Sequence, residues 1–189
     1  QGFCEDGLVP VNYYSGGFCL PAYVFEQDDN KKYYIKSESE DNGLYSSYLT
    51  ELPNGQVRWL AASAGEVTAN DSAAWYVSFT PDNQYYQLRN AAAGKYLSCY
   101  NNGTNGFRTT ERATPGASED FHVMRSRTDL MVGNKMTLRA YWLIHPERKN
   151  NPATLTASAN GITSAVALNL YDNATNQRWL FLGAEEVSE

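Results

Sequence analysis

Three stretches of this sequence run through the same order of short β-rich segments, with a period of roughly 50 residues, the range in which internal symmetry governs the fold. The first opens on Tyr33-Tyr34-Ile35-Lys36-Ser37, continues through Leu44 to Thr50 and Gln56 to Ala61, and closes on Ala73-Ala74-Trp75-Tyr76-Val77-Ser78-Phe79. The second opens on Tyr86-Gln87-Leu88-Arg89-Asn90, passes Gly94-Lys95-Tyr96-Leu97-Ser98 and Gly106 to Glu111, and closes on Asp120-Phe121-His122-Val123. The third opens on Trp142-Leu143-Ile144-His145-Pro146, passes Thr154-Leu155-Thr156-Ala157 and Val166 to Tyr171, and closes on Gln177-Arg178-Trp179-Leu180-Phe181. Each stretch offers about four strands, and no four-strand unit buries a face alone. A closed pseudo-threefold arrangement solves this by bringing Tyr33, Tyr86 and Trp142 together, and likewise Trp75, Phe121 and Trp179, so that the six aromatics form a shared core and few strand edges stay open.

The expected fold is therefore all-β, a β-trefoil of three pseudo-repeats at about 32–80, 84–126 and 140–183, within a domain at 32–183. A short N-terminal extension at 1–31 precedes it and a C-terminal tail at 184–189 follows. The 14 tyrosines, the 13% aromatic content and the lack of long helical spacing agree with strands throughout. A chain of 189 residues is long enough to bury a core as one domain. In the extension, Phe18 to Phe25 reads as one further strand against the barrel. Ser126 to Arg139 reads as an extra hairpin between the second and third stretches, turning at Gly133-Asn134.

The net charge of -6 and pI near 5.0 argue against a nucleic-acid partner, which needs a clustered basic face. The acidic run of Asp28, Asp29, Glu38, Glu40 and Asp41 reads as a solvated loop. No apolar run reaches the roughly 18 to 20 residues that span a bilayer, and a start at Gln1 suits a secreted or periplasmic chain after signal removal as well as it suits an arbitrary boundary. Cys4 and Cys19 lie close enough in sequence for a loop-closing disulfide, while Cys99 sits in an apolar strand pattern and reads as a buried thiol. With no Cys-x-x-Cys and two histidines, neither metal nor other cofactor is expected.

Two pieces of the repeat resemble ricin B-type lectin repeats: Tyr86-Gln87-Leu88-Arg89-Asn90 with Gly94-Lys95-Tyr96-Leu97, and Asn176-Gln177-Arg178-Trp179. Such repeats open aromatic-x-aliphatic-x-Asn, pass through Gly-Lys-aromatic-or-Cys-Leu and close on Gln-x-Trp. The likeness covers about Lys32 to Gly183, and the third stretch alone has the full Gln-x-Trp close. The first closes on Ala73-Ala74-Trp75 and the second on Glu119-Asp120-Phe121. The resemblance implies shallow carbohydrate pockets, one per repeat, in which an Asp after the Leu, an amide and a ring from the third strand, and an Asn before Gln-x-Trp hold the sugar. An acceptor and an amide then grip vicinal hydroxyls while a ring face stacks on the C–H face.

Carried over, the resemblance implies a carbohydrate site at Thr156, Asn169, Tyr171 and Asn176. Thr156 replaces the acid, so weak or altered sugar preference is implied. The same residues also fit plain strand and turn decoration, with Asn176 bonding local backbone. The second repeat offers Ser98, Arg108, Thr110 and Ser118; the first offers Thr50, Arg58 or Trp59 depending on register, and Ser72. Neither matches a family-type pocket. His122 and His145 lack a nucleophile setting, and Glu119-Asp120 and Glu185-Glu186 are neighbours whose side chains diverge on a strand, so no enzyme is expected. Asn70-Asp71-Ser72, Asn102-Gly103-Thr104 and Asn173-Ala174-Thr175 match the glycosylation pattern without discriminating anything. The expected function is a non-catalytic, lectin-like module binding glycan or polysaccharide; the alternative is a protein-interaction or inhibitory trefoil acting through surface loops.

Overall fold

The computed structural model describes residues 8–13, 16–21, 30–39, 47–80, 85–99, 107–109, 114–132, 135–144, 153–158, 161–167 and 175–187. Among them the fold is all-β, with a single short helix. The strands are β1 (Leu8–Tyr13), β2 (Gly16–Pro21), β3 (Tyr33–Ser37), β4 (Ser47–Glu51), β5 (Val57–Ala61), β6 (Ala74–Thr80) and β7 (Tyr85–Asn90). They continue with β8 (Leu97–Ser98), β9 (Arg108–Thr109), β10 (His122–Val132), β11 (Lys135–Ile144), β12 (Ala153–Ala157), β13 (Thr163–Ala167) and β14 (Trp179–Leu182). The helix α1 (Ala64–Thr68) lies between β5 and β6.

Six of these strands pair in succession and return to their starting point. β14 pairs with β3, β3 with β6, and β6 with β7. β7 meets the start of β10 through a two-bond bridge, in which Tyr86 N donates to Phe121 O at 2.7 Å and Phe121 N to Tyr86 O at 2.9 Å. β10 pairs with β11, and β11 with β14. The remaining strands after residue 46 form three hairpins, β4–β5, β8–β9 and β12–β13.

The apolar residues that alternate along these strands meet inside the ring. Tyr33, Trp75, Tyr86, Phe121 and Trp179 are buried in one cluster with Ile35, Leu49, Trp59 and Leu88. Trp142 lies opposite Met124 in β11, and its side chain falls outside the description. Cys99, just past β8, is a buried free thiol. The strand-ending Asn90 is fully buried for a backbone reason: its Oδ1 accepts from the N–H groups of Ala92 and Ala93, and its Nδ2 donates to Ser72 O at 2.9 Å. It closes the turn after β7 and ties it to the approach to β6.

The hairpins converge on one another through β5, β9 and β13. Val57 N donates to Phe107 O, Thr109 N to Gly55 O, and Trp59 N to Gly161 O at 2.7 Å. The fully buried Thr163 hydroxyl completes the junction, accepting from Phe107 N at 3.0 Å and donating to Val57 O at 2.9 Å. Gly161 approaches so closely that an added Cβ would stand 2.7 Å from Trp59 O, and its φ is +80°. Gly161→Ala is therefore expected to lower stability by about 2 kcal/mol, combining left-handed strain with a backbone clash. Urea denaturation of wild type and variant checks this.

Three features depart from the sequence reading. The extension carries a two-stranded hairpin, with Pro10 opposite Cys19, where one strand at Phe18 to Phe25 was expected; β2 ends at Pro21 and lies against β10. Cys4 is outside the described residues. The hairpin across Ser126 to Arg139 adds no strands of its own: β10 and β11, members of the ring, run on to meet at Val132 and Lys135. The helix α1 interrupts the first stretch, capped by Ser63, whose hydroxyl accepts from Glu66 N at 3.3 Å.

Candidate functional site

In each hairpin the register decides which side chains share a face. Thr50 stands opposite Arg58, Ser98 opposite Arg108, and Thr156 opposite Ser164. The choice between Arg58 and Trp59 in the first repeat is thereby resolved. Trp59 points into the core, edge-on to Trp179 with centroids 6.3 Å apart, and Arg58 takes the outer face beside Thr50.

The three hydroxyl residues at the positions where the resemblance called for an acid are buried and hydrogen-bonded. Thr50 Oγ1 donates to Tyr48 O at 2.9 Å, and Thr156 Oγ1 to Thr154 O at 3.1 Å. Ser98 Oγ donates to Glu119 Oε2 at 2.8 Å, and Glu119 Oε1 accepts from Gly116 N at 2.9 Å. Glu119 is 1% exposed, so a buried carboxylate stands where the closing motif of the third repeat has Gln177. Sequence reasoning treated Glu119 as one of two adjacent acids; its place before x-aromatic was the signal that it points inward.

Asn176 is bonded to the end of β12, the strand that carries Thr156. Asn176 sits in a 3-10 turn (Thr175–Gln177) packed on β12, and its Nδ2 donates to Ala157 O at 3.3 Å. The bond ties that turn to the strand carrying Thr156. Asn169 and Tyr171 lie outside the described residues, after the end of β13 at Ala167.

Beside this turn lies a buried ion pair, which takes Glu38 out of the solvated acidic loop that the sequence suggested. Arg178 Nη2 is 3.5 Å from Glu38 Oε1, their side chains are 13% and 6% exposed, and Glu38 N donates to Arg178 O at 3.1 Å. Burial pushes the Glu38 carboxyl above its usual range, and the Arg178 charge pulls it part of the way back. The pair spans the seam where β14 meets β3.

Of the other sequence candidates, His122 packs edge-on against Tyr85 with centroids 4.8 Å apart, and His145 is outside the described residues. Asn70 accepts from Ser72 N through Oδ1 at 3.0 Å, capping the turn before β6. Among the described residues no three His, Cys, Asp or Glu side chains converge as a metal site, and no helix is long and apolar enough to cross a membrane.

No protein-family model and no curated protein sequence matches this chain. Its fold is similar to solved structures. One is a GlcNAcα1-4Gal-releasing endo-β-galactosidase from Clostridium perfringens, with a TM-score of 0.57 and 12% identity over 88% of this chain and 35% of the other. Another is the Polyporus squamosus lectin bound to the human-type influenza-binding epitope Neu5Acα2-6Galβ1-4GlcNAc, with a TM-score of 0.54 and 18% identity over 82% of this chain and 50% of the lectin. The chain thus spans about a third of the first protein and half of the second.

Proposed function

We propose that the chain is a β-trefoil of the ricin B type, acting outside the cytoplasm as a non-catalytic, lectin-like module that binds glycan through the third repeat. The observation that carries this reading is the fold shared with a glycan-bound lectin, together with the ring of six strands and the three converging hairpins. By the sequence carry-over, Thr156, Asn169, Tyr171 and Asn176 would supply a hydroxyl, an amide, a ring and a second amide, the elements a shallow sugar pocket needs. Thr156 in place of a carboxylate argues for weak or altered preference, because its hydroxyl is already committed to Thr154 O.

A glycan array on the wild type and on Tyr171→Ala tests the reading. Capture of at least one glycan is expected, with signal reduced about tenfold in the variant, the scale of one lost ring-stacking contact. An undiminished signal would remove Tyr171 from the site, and capture of nothing by the wild type would sink the glycan reading itself.

A further inference from the structure

The first two hairpins carry a feature that the third lacks. Each sets an arginine opposite a buried hydroxyl, Arg58 opposite Thr50 and Arg108 opposite Ser98, where the third has Ser164. The hairpins also touch: Gln56 and Arg108 face each other across an isolated antiparallel bridge, so their side chains share a face. Arg58 follows Gln56 by two positions on an extended strand and falls on that face as well.

The two guanidinium groups are held differently. Arg58 is anchored, its Nη2 donating to Gln56 Oε1 at 3.1 Å, while its Nη1 is enclosed and has no hydrogen-bond partner. Arg108 is exposed. Its Nη2 lies close to Gly55, 3.9 Å from the point a Cβ there would occupy.

The described carboxylates nearby accept from neutral donors and form no ion pair with either arginine. Glu51 Oε2 accepts from Thr109 Oγ1 at 2.6 Å, and Glu119 is taken by Ser98 and Gly116. Among the described residues the ion pairs are Lys32–Asp71 and Arg178–Glu38, and neither arginine of this face belongs to one. Two guanidinium groups with no ion-pair partner among the described residues thus share one face, Arg58 with an enclosed, unpaired Nη1 and Arg108 open to solvent. The planar fork of a guanidinium matches the paired oxygens of a carboxylate or a sulfate.

We propose that Arg58 and Arg108 form an anion subsite between the first and second hairpins that takes the carboxylate or sulfate group of an acidic glycan. The ligand class rests on the glycan reading above; the anion site itself rests on the geometry of this face. Arg108 makes the first contact, and Arg58, fixed by Gln56, supplies a second positive charge on the same face.

The test prints each oligosaccharide core in neutral, carboxylate-bearing and sulfated forms and compares wild type, Arg108→Gln, Arg108→Lys and the Arg58→Gln/Arg108→Gln double variant. The wild type is expected to favour an acidic form about tenfold, the scale of one or two charge-assisted hydrogen bonds, with the carboxylate and sulfate arms separating the two ligand types. The double variant should lose that preference, keep its neutral-glycan signal and its circular dichroism spectrum, while Arg108→Lys keeps part of the preference. High salt should erase it.

Equal capture of neutral and acidic forms by the wild type overturns the subsite and leaves the glycan reading standing. A preference that survives in the double variant overturns it too. If no glycan is captured, a titration with inorganic sulfate decides the subsite alone. A rise in melting temperature confined to proteins that keep both arginines upholds it, and an equal rise in the double variant overturns it.

Discussion

Replacing Trp75 with alanine is expected to cost about 4 kcal/mol and to lower the urea midpoint by about 2 M, the largest effect of any single substitution considered for this chain. Trp75 is fully buried and stands between Tyr33 of β3 and Asn90 of β7, so the cavity would open within the ring itself. Its indole N–H also donates to Leu49 O at 2.9 Å and links the ring to the first hairpin. Removing it leaves a buried carbonyl without that donor as well as a cavity. Against the roughly 5 to 15 kcal/mol that holds a domain together, this loss removes from about a quarter to about four fifths of the total. A milder pair isolates the hydrogen bond. Trp75→Phe should cost about 1 kcal/mol more than Trp59→Phe, because the Trp59 indole N–H is buried with no acceptor to lose. Equal losses would show that the bond to Leu49 contributes nothing measurable.

The second large effect depends on pH. Arg178→Ala is expected to destabilise by about 3 kcal/mol at pH 7, since it strands the Glu38 carboxylate, 6% exposed, without its counter-charge. An acid held high in the folded state favours folding below its unfolded value and loses that contribution as pH rises through the folded one. Glu38 starts from a usual value of 4.5 and is raised by burial, so its contribution falls as pH rises from that value upward. Without Arg178 the carboxyl moves higher still. The cost of Arg178→Ala should therefore shrink toward pH 4, where Glu38 is protonated and no lone charge is buried. Denaturation at pH 4 and pH 7 measures this, and adding Glu38→Gln to Arg178→Ala should abolish the difference between the two.

Much of the strand order was legible because strands betray themselves through alternation. Tyr33 to Ser37, Tyr86 to Asn90 and Trp179 to Phe181 are strands where the sequence suggested them. The helix α1 left no comparable trace: it spans five residues and buries only Val67, too little to set up a helical period. The N-terminal hairpin was half seen, since Pro10 and Pro21 break the composition expected of a strand although both sit within paired segments. At the candidate site the sequence named the hydroxyls Thr50, Ser98 and Thr156 and offered Arg108 beside Ser98, but it left Arg58 and Trp59 open beside Thr50 and did not name the residue opposite Thr156. Partners across a hairpin depend on loop length and turn geometry, which composition does not report. That is why Ser164 went unremarked opposite Thr156, and why Arg58 and Trp59 could be separated only by the fold.

The meeting of β14 with β3 bears on how the molecule comes into being. Phe181 pairs with Ile35, so the first strand of the ring waits for nearly the last one before its second edge is covered. During synthesis from the N-terminus, β3 and β6 emerge early with apolar faces and an unfilled edge, and no local hairpin can substitute for β14. Contacts this distant in sequence make folding slow and concentrate it late. A ribosome stalled before Trp179 would thus hold a chain with most of its strands made and its ring still open, the stage at which a holdase chaperone has the most surface to bind.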